Sequence, residues 1–179
     1  MNQQELTYWV TLSMIPGIWT RRKNEIFVYC FLHKPHKISI IDLFENSSLW
    51  KEIGLTEDEM LRFAEAKKQL SNNSFLIENL LAQGYEIIPL ISQEYPQTLK
   101  DNLKQDAPTV IYTKGNKELL KPKAAAIVGS RKADMISLEF TTNVANKCVS
   151  EQKVVVSGFA KGVDRRALEI GRASCRERV

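Results

Sequence analysis

The chain contains 179 residues, of which 44% are hydrophobic, with 25 Lys and Arg against 21 Asp and Glu. The formal net charge of +4 is too small to indicate a polyanion-binding protein, and three of the Arg that contribute to it fall in the last ten residues. Any affinity for nucleic acid therefore has to come from a local patch of charge. The chain opens without a basic-then-apolar segment, and no run approaches roughly 18 apolar residues, which argues against a secreted or membrane protein and predicts a cytoplasmic one.

Cysteine and histidine usage argues against disulfides and metals. Cys30 and Cys148 fall at apolar helical positions, which predicts reduced core residues in a cytosolic protein. There is no CxxC pair, and the chain has only His33 and His36. We therefore expect no structural zinc site, and nothing in the sequence calls for a cofactor.

The N-terminal residues predict helices joined by a tight hairpin. Apolar spacing from Leu6 to Met14 predicts a first helix that stops at Pro16, and a second helix follows from about Thr20. The intervening IPGI sequence resembles the hairpin of a helix-hairpin-helix DNA-binding element. Trp19 stands where that element has a second glycine, so a hairpin that packs in the core is favoured over one that contacts DNA. The charge run that follows it, Arg21, Arg22 and Lys23, is typical of a solvated face, although it could touch a nucleic-acid backbone.

Further along, a capping box marks another helix start. Thr56 is followed three residues later by Glu59, a pairing in which each side chain bonds the other residue's amide. The helical pattern continues, with a polar break over residues 71–74, and Gly84 suits the position just beyond a helix end. Residues 85–91 and 109–113 then predict strands, and Pro89 places the first at an edge or a bend.

A βαβ unit is predicted in the last third of the chain. Residues 124–128 and 154–156 are continuous apolar runs of the kind that suits buried parallel strands, and residues 136–149 show apolar spacing compatible with a single helical face. The crossover should be right-handed. Ligands of such sheets bind at the carboxyl ends of the strands, where both runs end in glycine-containing loops.

These two loops have the composition of a phosphate site. Glycine allows close backbone approach, amides at a helix start attract anions, serine adds a hydroxyl, and Arg or Lys supplies charge. The alternative is that both are ordinary tight turns, and Asp164 is then explained as a helix cap. Neither loop is GxGxxG or GxxxxGK[ST], which argues against ordinary dinucleotide and P-loop nucleotide binding. The predicted phosphate-binding residues are Gly129, Ser130, Arg131, Lys132, Ser157, Gly158, Lys161 and Gly162.

The loop sequences VGSRK (residues 128–132) and VVVSGFAKGVD (residues 154–164) resemble the DNA-processing protein A family, also called DprA or Smf. Upstream, YPQTL at residues 95–99 is similar to the family's YPxxL element. Residues 106–116 are similar to its P-x-x-L-Y-x-x-G-N strand, with Ile111 in place of Leu. The resemblance extends over nearly the whole chain to about Glu169, and the paired loops are its specific part.

The resemblance implies an α/β fold. An N-terminal helical domain, similar to SAM or helix-hairpin-helix domains, is expected over residues 1–82, followed over residues 83–169 by the start of a Rossmann-like doubly wound parallel sheet. It also implies a single-stranded DNA-binding protein of natural transformation, competence and DNA recombination. Such proteins protect the incoming strand and help to load the RecA recombinase, and the full-length protein is expected to be a homodimer.

Residues 170–179 break the pattern. They show no apolar periodicity and are similar to one reading frame of a sequencing-library adapter, so we predict a non-native tail that truncates the sheet, with the preceding helix ending near Glu169.

Two enzymatic readings remain as alternatives. Nucleotide phosphoribohydrolases of the lysine-decarboxylase-like (LOG) group also resemble a βαβ unit with a GSR loop, but they begin almost directly at that strand and contain a later PGGxGTxxE segment. A nicotinamide enzyme would need GxGxxG and an acidic residue at the end of the second strand, where Ser157 stands. No nucleophile–base pair or paired carboxylates are apparent, so we expect binding without catalysis.

Overall fold

A computed structural model of the chain describes residues 1–33 and 38–176, and it divides into two compact units. The helical unit spans Met1–Gly115, and the βαβ unit begins at Asn116. The boundary lies beyond the predicted end of the helical domain at residue 82, because Ile87 and Val110 of the following strands are part of the helical core. None of the described helices has the length and apolar character needed to cross a membrane.

The helical unit is built around its first helix. That helix buries every residue from Thr7 to Leu12, so it is enclosed by its neighbours rather than amphipathic. The strands of the unit pair antiparallel, with Tyr85 opposite Lys114 and Pro89 opposite Val110. The elements are α1 (Gln3–Met14), α2 (Thr20–Val28) continued by a π-helical turn (Tyr29–His33), α3 (Ile40–Glu45), α4 (Ser48–Glu52), α5 (Glu57–Lys68), α6 (Leu70–Ala82), β1 (Tyr85–Pro89), α7 (Gln97–Leu103), a 3₁₀ turn (Lys104–Asp106) and β2 (Val110–Lys114).

Aromatic side chains fill the core of the helical unit. The Trp9 ring lies 5.7 Å from that of Phe27, and the Phe44 ring lies 5.3 Å from that of Phe63. Trp9, Phe44 and Phe63 are buried, and the burial of such rings is the main stabilising term available to a unit of this size. The core also contains Cys30, which is buried, as the sequence predicted.

The predicted helix boundaries are confirmed at two places and wrong at a third. Thr56 and Glu59 form the predicted capping box at the start of α5, and Gly84 lies beyond α6 with φ +79°. The predicted polar break over residues 71–74 is wrong, because α6 passes through it. Asn73 is buried there, and its amide nitrogen donates to Thr11 Oγ1 at 2.9 Å, so a polar residue occupies a core position with its hydrogen bond satisfied.

The IPGI hairpin packs into the core, in agreement with the sequence. Ile15 and Ile18 are buried, whereas Trp19 is 84% exposed. The Arg62 guanidinium covers the turn at Gly17, where it donates to the Pro16 carbonyl at 3.1 Å. The space beside the turn is therefore occupied by a side chain of the same unit.

The charge run after the hairpin is held within the helical unit. Arg21 pairs with Asp106 at 2.9 Å and Arg22 with Glu59 at 2.7 Å, while the Lys23 ammonium donates to the Ser13 carbonyl at 2.6 Å. These partners leave the run less available to a polyanion than its sequence suggested.

The βαβ unit has the predicted parallel topology. Its strands pair in parallel, with Ala124 opposite Val154 and Ala126 opposite Val156, which confirms a Rossmann-like arrangement. Its core brings Val155 together with Cys148 and Ala167, whereas Val156 on the alternate position is half exposed. The elements are a 3₁₀ turn (Lys117–Leu120), β3 (Ala124–Ala126), α8 (Met135–Ser150), β4 (Val154–Val156) and α9 (Val163–Arg176).

Two expectations for these helices are corrected. The apolar positions of α8 do not share one face: Ala145 and Cys148 are buried, but Ile136 and Phe140 are 78% and 69% exposed. Helix α9 continues to Arg176 instead of ending near Glu169, and Gly171 lies close to Val155 of β4. Residues 177–179 of the predicted tail lie outside the described residues.

Lys23 should give the helical unit a pH-dependent stability. Its side chain is 6% exposed, and burial lowers the pKa of its ammonium from 10.5 to about 8. Above about pH 8 the folded state therefore binds fewer protons than the unfolded state, and the free energy of unfolding rises with pH until the unfolded pKa is reached. We expect Lys23→Met to remove this rise, which urea unfolding between about pH 7.5 and 9.5 can measure.

The upper limit of this pH range avoids the titration of Tyr8, whose pKa is raised to about 12 by burial and by its hydrogen bond to Glu45. Lys68→Met is the matched control, because Lys68 is exposed and pairs with its helical neighbour Glu65. If the free energy of unfolding rises with pH as steeply in Lys23→Met as in the original chain, Lys23 is not the source of the pH dependence.

Candidate functional site

The two glycine loops emerge side by side from the parallel strands of the βαβ unit. We call residues 129–132 loop 1 and residues 157–162 loop 2. Pairing continues beyond the strands, since the Ile127 amide donates to the Val156 carbonyl at 2.9 Å and Ser157 Oγ donates to the Ile127 carbonyl at 2.6 Å. Both loops thus begin at the carboxyl edge of the sheet, as the topology predicted.

A buried carboxylate fastens loop 1 to the start of α9. The Gly129 amide donates to Asp164 Oδ1 at 3.0 Å, and the Val163 amide donates to the Ser130 carbonyl at 3.2 Å. The sequence suggested that Asp164 caps its own helix. Instead it bonds a backbone group 35 residues earlier in the chain, a contact that sequence spacing does not reveal.

The glycines of the loops lie where other parts of the protein leave little room for a side chain. A Cβ on Gly129 would lie 2.9 Å from side-chain atoms of Val163, and one on Gly158 would lie 3.1 Å from Asp164 Oδ2. Gly162 has φ +82°, and a Cβ there would meet the Ser130 carbonyl oxygen. The sequence ascribed these glycines to close approach of a ligand, and their packing supplies a different reason.

The loop serines also bond within the protein. Ser130 Oγ donates to the Lys132 carbonyl at 3.0 Å and accepts from the Lys132 amide at 3.1 Å, so it closes loop 1 on itself. The Ser157 hydroxyl bonds to the other strand's extension at Ile127. The Ser130 hydroxyl that was expected to donate to a phosphate is therefore engaged in shaping loop 1.

Loop 1 does not lead directly into a helix, which corrects a further expectation. Helix α8 begins at Met135, and the Asp134 carboxylate at its N-cap accepts from the Ser137 amide at 2.8 Å. Hydrogen bonds from Ser137 hold the pKa of Asp134 below its ordinary value. An ionised cap already occupies this helix start, so the loop 1 amides are not reinforced by the helix dipole.

What the loops present to solvent is positive charge. Arg131, Lys132 and Lys161 are exposed, and within the described residues their side chains form no ion pair and no hydrogen bond. The basic residues of α9 differ, since Arg165 pairs with Glu169 and Arg166 donates to Thr142. A Cβ on Gly162 would lie 3.0 Å from backbone atoms of Arg131, so the backbones that carry Arg131 and Lys161 meet at one point of contact.

A groove of about 600 Å³ opens beside this point, between α8 and α9. Apolar side chains of Met135 and Leu138 line it together with Arg165 and Arg166, and Gly162 of loop 2 lies at its margin. The sequence analysis did not include this groove, although the exposed apolar start of α8 was a signal for it. Among the residues that the structure describes, no group of His, Cys, Asp and Glu is arranged to hold a metal. His36 and the His33 side chain lie outside that description.

The fold and the loops define a class of protein: a Rossmann-like βαβ unit with interlocked glycine loops, preceded by a helical unit. Residues 86–174 match the family model described as DNA recombination-mediator protein A. This match places residues 86–174 of the chain in that family.

Individual relatives agree with this membership. The chain is 34% identical over 85 residues to the DNA processing protein DprA of Streptococcus pneumoniae (strain ATCC BAA-255 / R6), an alignment that covers 48% of this chain and 29% of the relative. It is also similar in fold to the X-ray structure of DNA processing protein A from Streptococcus pneumoniae, with a TM-score of 0.68 at 21% identity. That similarity covers 94% of this chain and 54% of the solved chain, so the chain spans about half of that structure.

Removal of the Asp164 carboxylate should loosen loop 1. We expect Asp164→Ala to destabilise the βαβ unit by about 1–3 kcal/mol, since it leaves the Gly129 amide without its charged acceptor. Asp164→Asn keeps an oxygen at the same place and should cost less. Thermal unfolding together with hydrogen exchange of the Gly129 amide measures both effects. Equal exchange at Gly129 in the original chain and in Asp164→Ala would show that the bond does not form.

Proposed function

We propose that this chain is part of a protein that binds single-stranded DNA in natural transformation and recombination. In this proposal it protects the incoming strand and helps to load the RecA recombinase, and it acts as a homodimer at full length. The observation that most supports DNA binding is the set of exposed cations Arg131, Lys132 and Lys161, which the interlocked loops present without protein partners among the described residues.

The chemistry of these cations suits a phosphodiester. The planar Arg131 guanidinium can donate two parallel hydrogen bonds to one phosphate, while Lys132 and Lys161 supply point charges beside it. The sequence had included amides and hydroxyls among the donors, but the Gly129 and Lys132 amides and both serine hydroxyls already bond within the protein. We therefore assign phosphate binding mainly to the side-chain cations.

The shape of the loops favours a polymer over a small nucleotide. The three cations are exposed. Loop 1 also lacks the free helix start that nucleotide-binding sites use to enclose a phosphate. The family description, recombination mediator, and the printed name of the pneumococcal relative, DNA processing protein, both indicate DNA. RecA loading and dimer formation rest on the family resemblance alone.

Arg131 should be the main phosphate ligand of loop 1. We expect Arg131→Ala to weaken binding of a single-stranded oligonucleotide by about 1–3 kcal/mol, because a charge-assisted hydrogen-bonding group is lost. Arg131→Lys should restore only part of the affinity, because the planar donor pair is missing. Fluorescence anisotropy at several salt concentrations measures the dissociation constants.

Arg165→Ala is the matched control, since Arg165 is exposed but pairs with Glu169. It should change affinity less than Arg131→Ala does, and both variants should retain the circular dichroism of the original chain. Unchanged affinity in Arg131→Ala would refute the assignment. Release of free adenine from AMP by the original chain, abolished by Arg131→Ala, would favour the phosphoribohydrolase alternative instead.

A further inference from the structure

Phe159 combines two features that are unfavourable for an ordinary loop residue. Its backbone is in the left-handed region at φ +57°, which non-glycine residues rarely adopt. Its side chain is 59% exposed, so an aromatic ring is kept in water. Residues held in such conformations at exposed positions concentrate at ligand-binding sites, where the surrounding structure fixes them.

The conformation of Phe159 is fixed from both sides. On one side, Ser157 bonds to Ile127, and Gly158 lies close to the Asp164 carboxylate. On the other, Gly162 packs against the Ser130 carbonyl. Loop 2 is therefore anchored before and after Phe159, and the ring is displayed by a held backbone.

The surroundings of the ring match one kind of ligand. Within the described residues, Phe159 has no aromatic partner, and Lys161 follows it two positions later on the same loop. The Arg131 backbone contacts loop 2 at Gly162. An exposed aromatic ring beside unpaired cations is the combination with which proteins bind single-stranded nucleic acid, since the bases stack on the ring and the phosphates bind the cations.

We propose that Phe159 is a base-stacking platform, and that it binds the base of a nucleotide whose phosphate is held by Arg131 and Lys161. The proposal rests on the proposed function and extends it from phosphate binding to base contact. Stacking requires only a π-face, so the platform accepts every base and gives no hydrogen-bond readout of sequence. It distinguishes a nucleic acid from a polyanion that lacks bases.

The test compares two ligands of equal charge: a single-stranded DNA oligonucleotide and an oligomer of the same length built entirely of abasic sites. We expect Phe159→Ala to weaken binding of the DNA about five- to a hundredfold and to leave binding of the abasic oligomer unchanged. The dependence of log affinity on log salt should stay the same, because no phosphate contact is lost. Lys161→Ala should instead weaken both ligands and reduce the salt slope by a little under one unit.

Two further variants complete the design. Phe159→Gly removes the ring and accepts positive φ without strain, so it keeps the test valid if Phe159→Ala disturbs the loop. Phe140→Ala is the matched control, because Phe140 is a phenylalanine of comparable exposure, at 69%, that belongs to α8 and lies outside both loops. Phe159→Trp should retain the preference for DNA over the abasic oligomer.

The outcomes separate this inference from the function on which it rests. DNA affinity that depends on Lys161 but is unchanged in both Phe159→Ala and Phe159→Gly would overturn the stacking platform alone. Equal losses for the DNA and the abasic oligomer would assign Phe159 a structural role and would also overturn it. No binding of either ligand by the original chain would overturn the proposed function, and the platform with it.

Discussion

The contact between the two strand-to-helix loops is the constraint on which the candidate site depends. Loop 1 lies against loop 2 and the first turn of α9 because Gly129 and Gly162 leave room for it, and the bond from Gly129 to Asp164 holds it there. A side chain at either of these glycines would push loop 1 away. The same contact brings the Arg131 backbone to Gly162 and anchors loop 2 beyond Phe159, so a packing requirement inside the protein arranges the groups that face outward.

The two units differ in whether their basic side chains are free to bind a polyanion. The helical unit includes a basic run, yet Arg21 and Arg22 pair with carboxylates and Lys23 is buried on a carbonyl. A paired cation offers little to a polyanion because its charge is already compensated by a carboxylate. A buried cation offers little because its side chain would first have to leave the protein interior. The loops of the βαβ unit present cations that have no partner in the described part of the chain, which is how a chain with a formal charge of only +4 can still offer a local site.

The parts of the fold that the sequence could predict are those determined by neighbouring residues. The capping box at Thr56 and the turn at Gly84 depend on residues a few positions apart, and the parallel strands follow from continuous apolar runs. The roles of Asn73 and Asp164 could not be predicted in this way. Their partners, Thr11 and Gly129, lie 62 and 35 residues away, and only the folded chain brings them together.

The candidate site shows the same division. The sequence predicted that both loops lie at one edge of the sheet and that their three cations bind phosphate, because residue type and strand topology are sufficient for these two predictions. It assigned the glycines and serines to a ligand, whereas in the structure Gly162 lets the loops meet and Ser130 closes loop 1 on itself. The apolar spacing of α8 also did not reveal that Ile136 and Phe140 remain exposed. A glycine pattern identifies where backbones come close and leaves open whether the other surface is a ligand or the protein.

The most direct test of the central claim is an NMR titration of the ¹⁵N-labelled chain with a single-stranded oligothymidine. The account predicts that amide shifts change together at residues 129–132 and 157–162 as oligonucleotide is added, while those of the hairpin at residues 15–18 stay constant. Shift changes confined to that hairpin, or none at either loop while binding is measured by anisotropy, would contradict it.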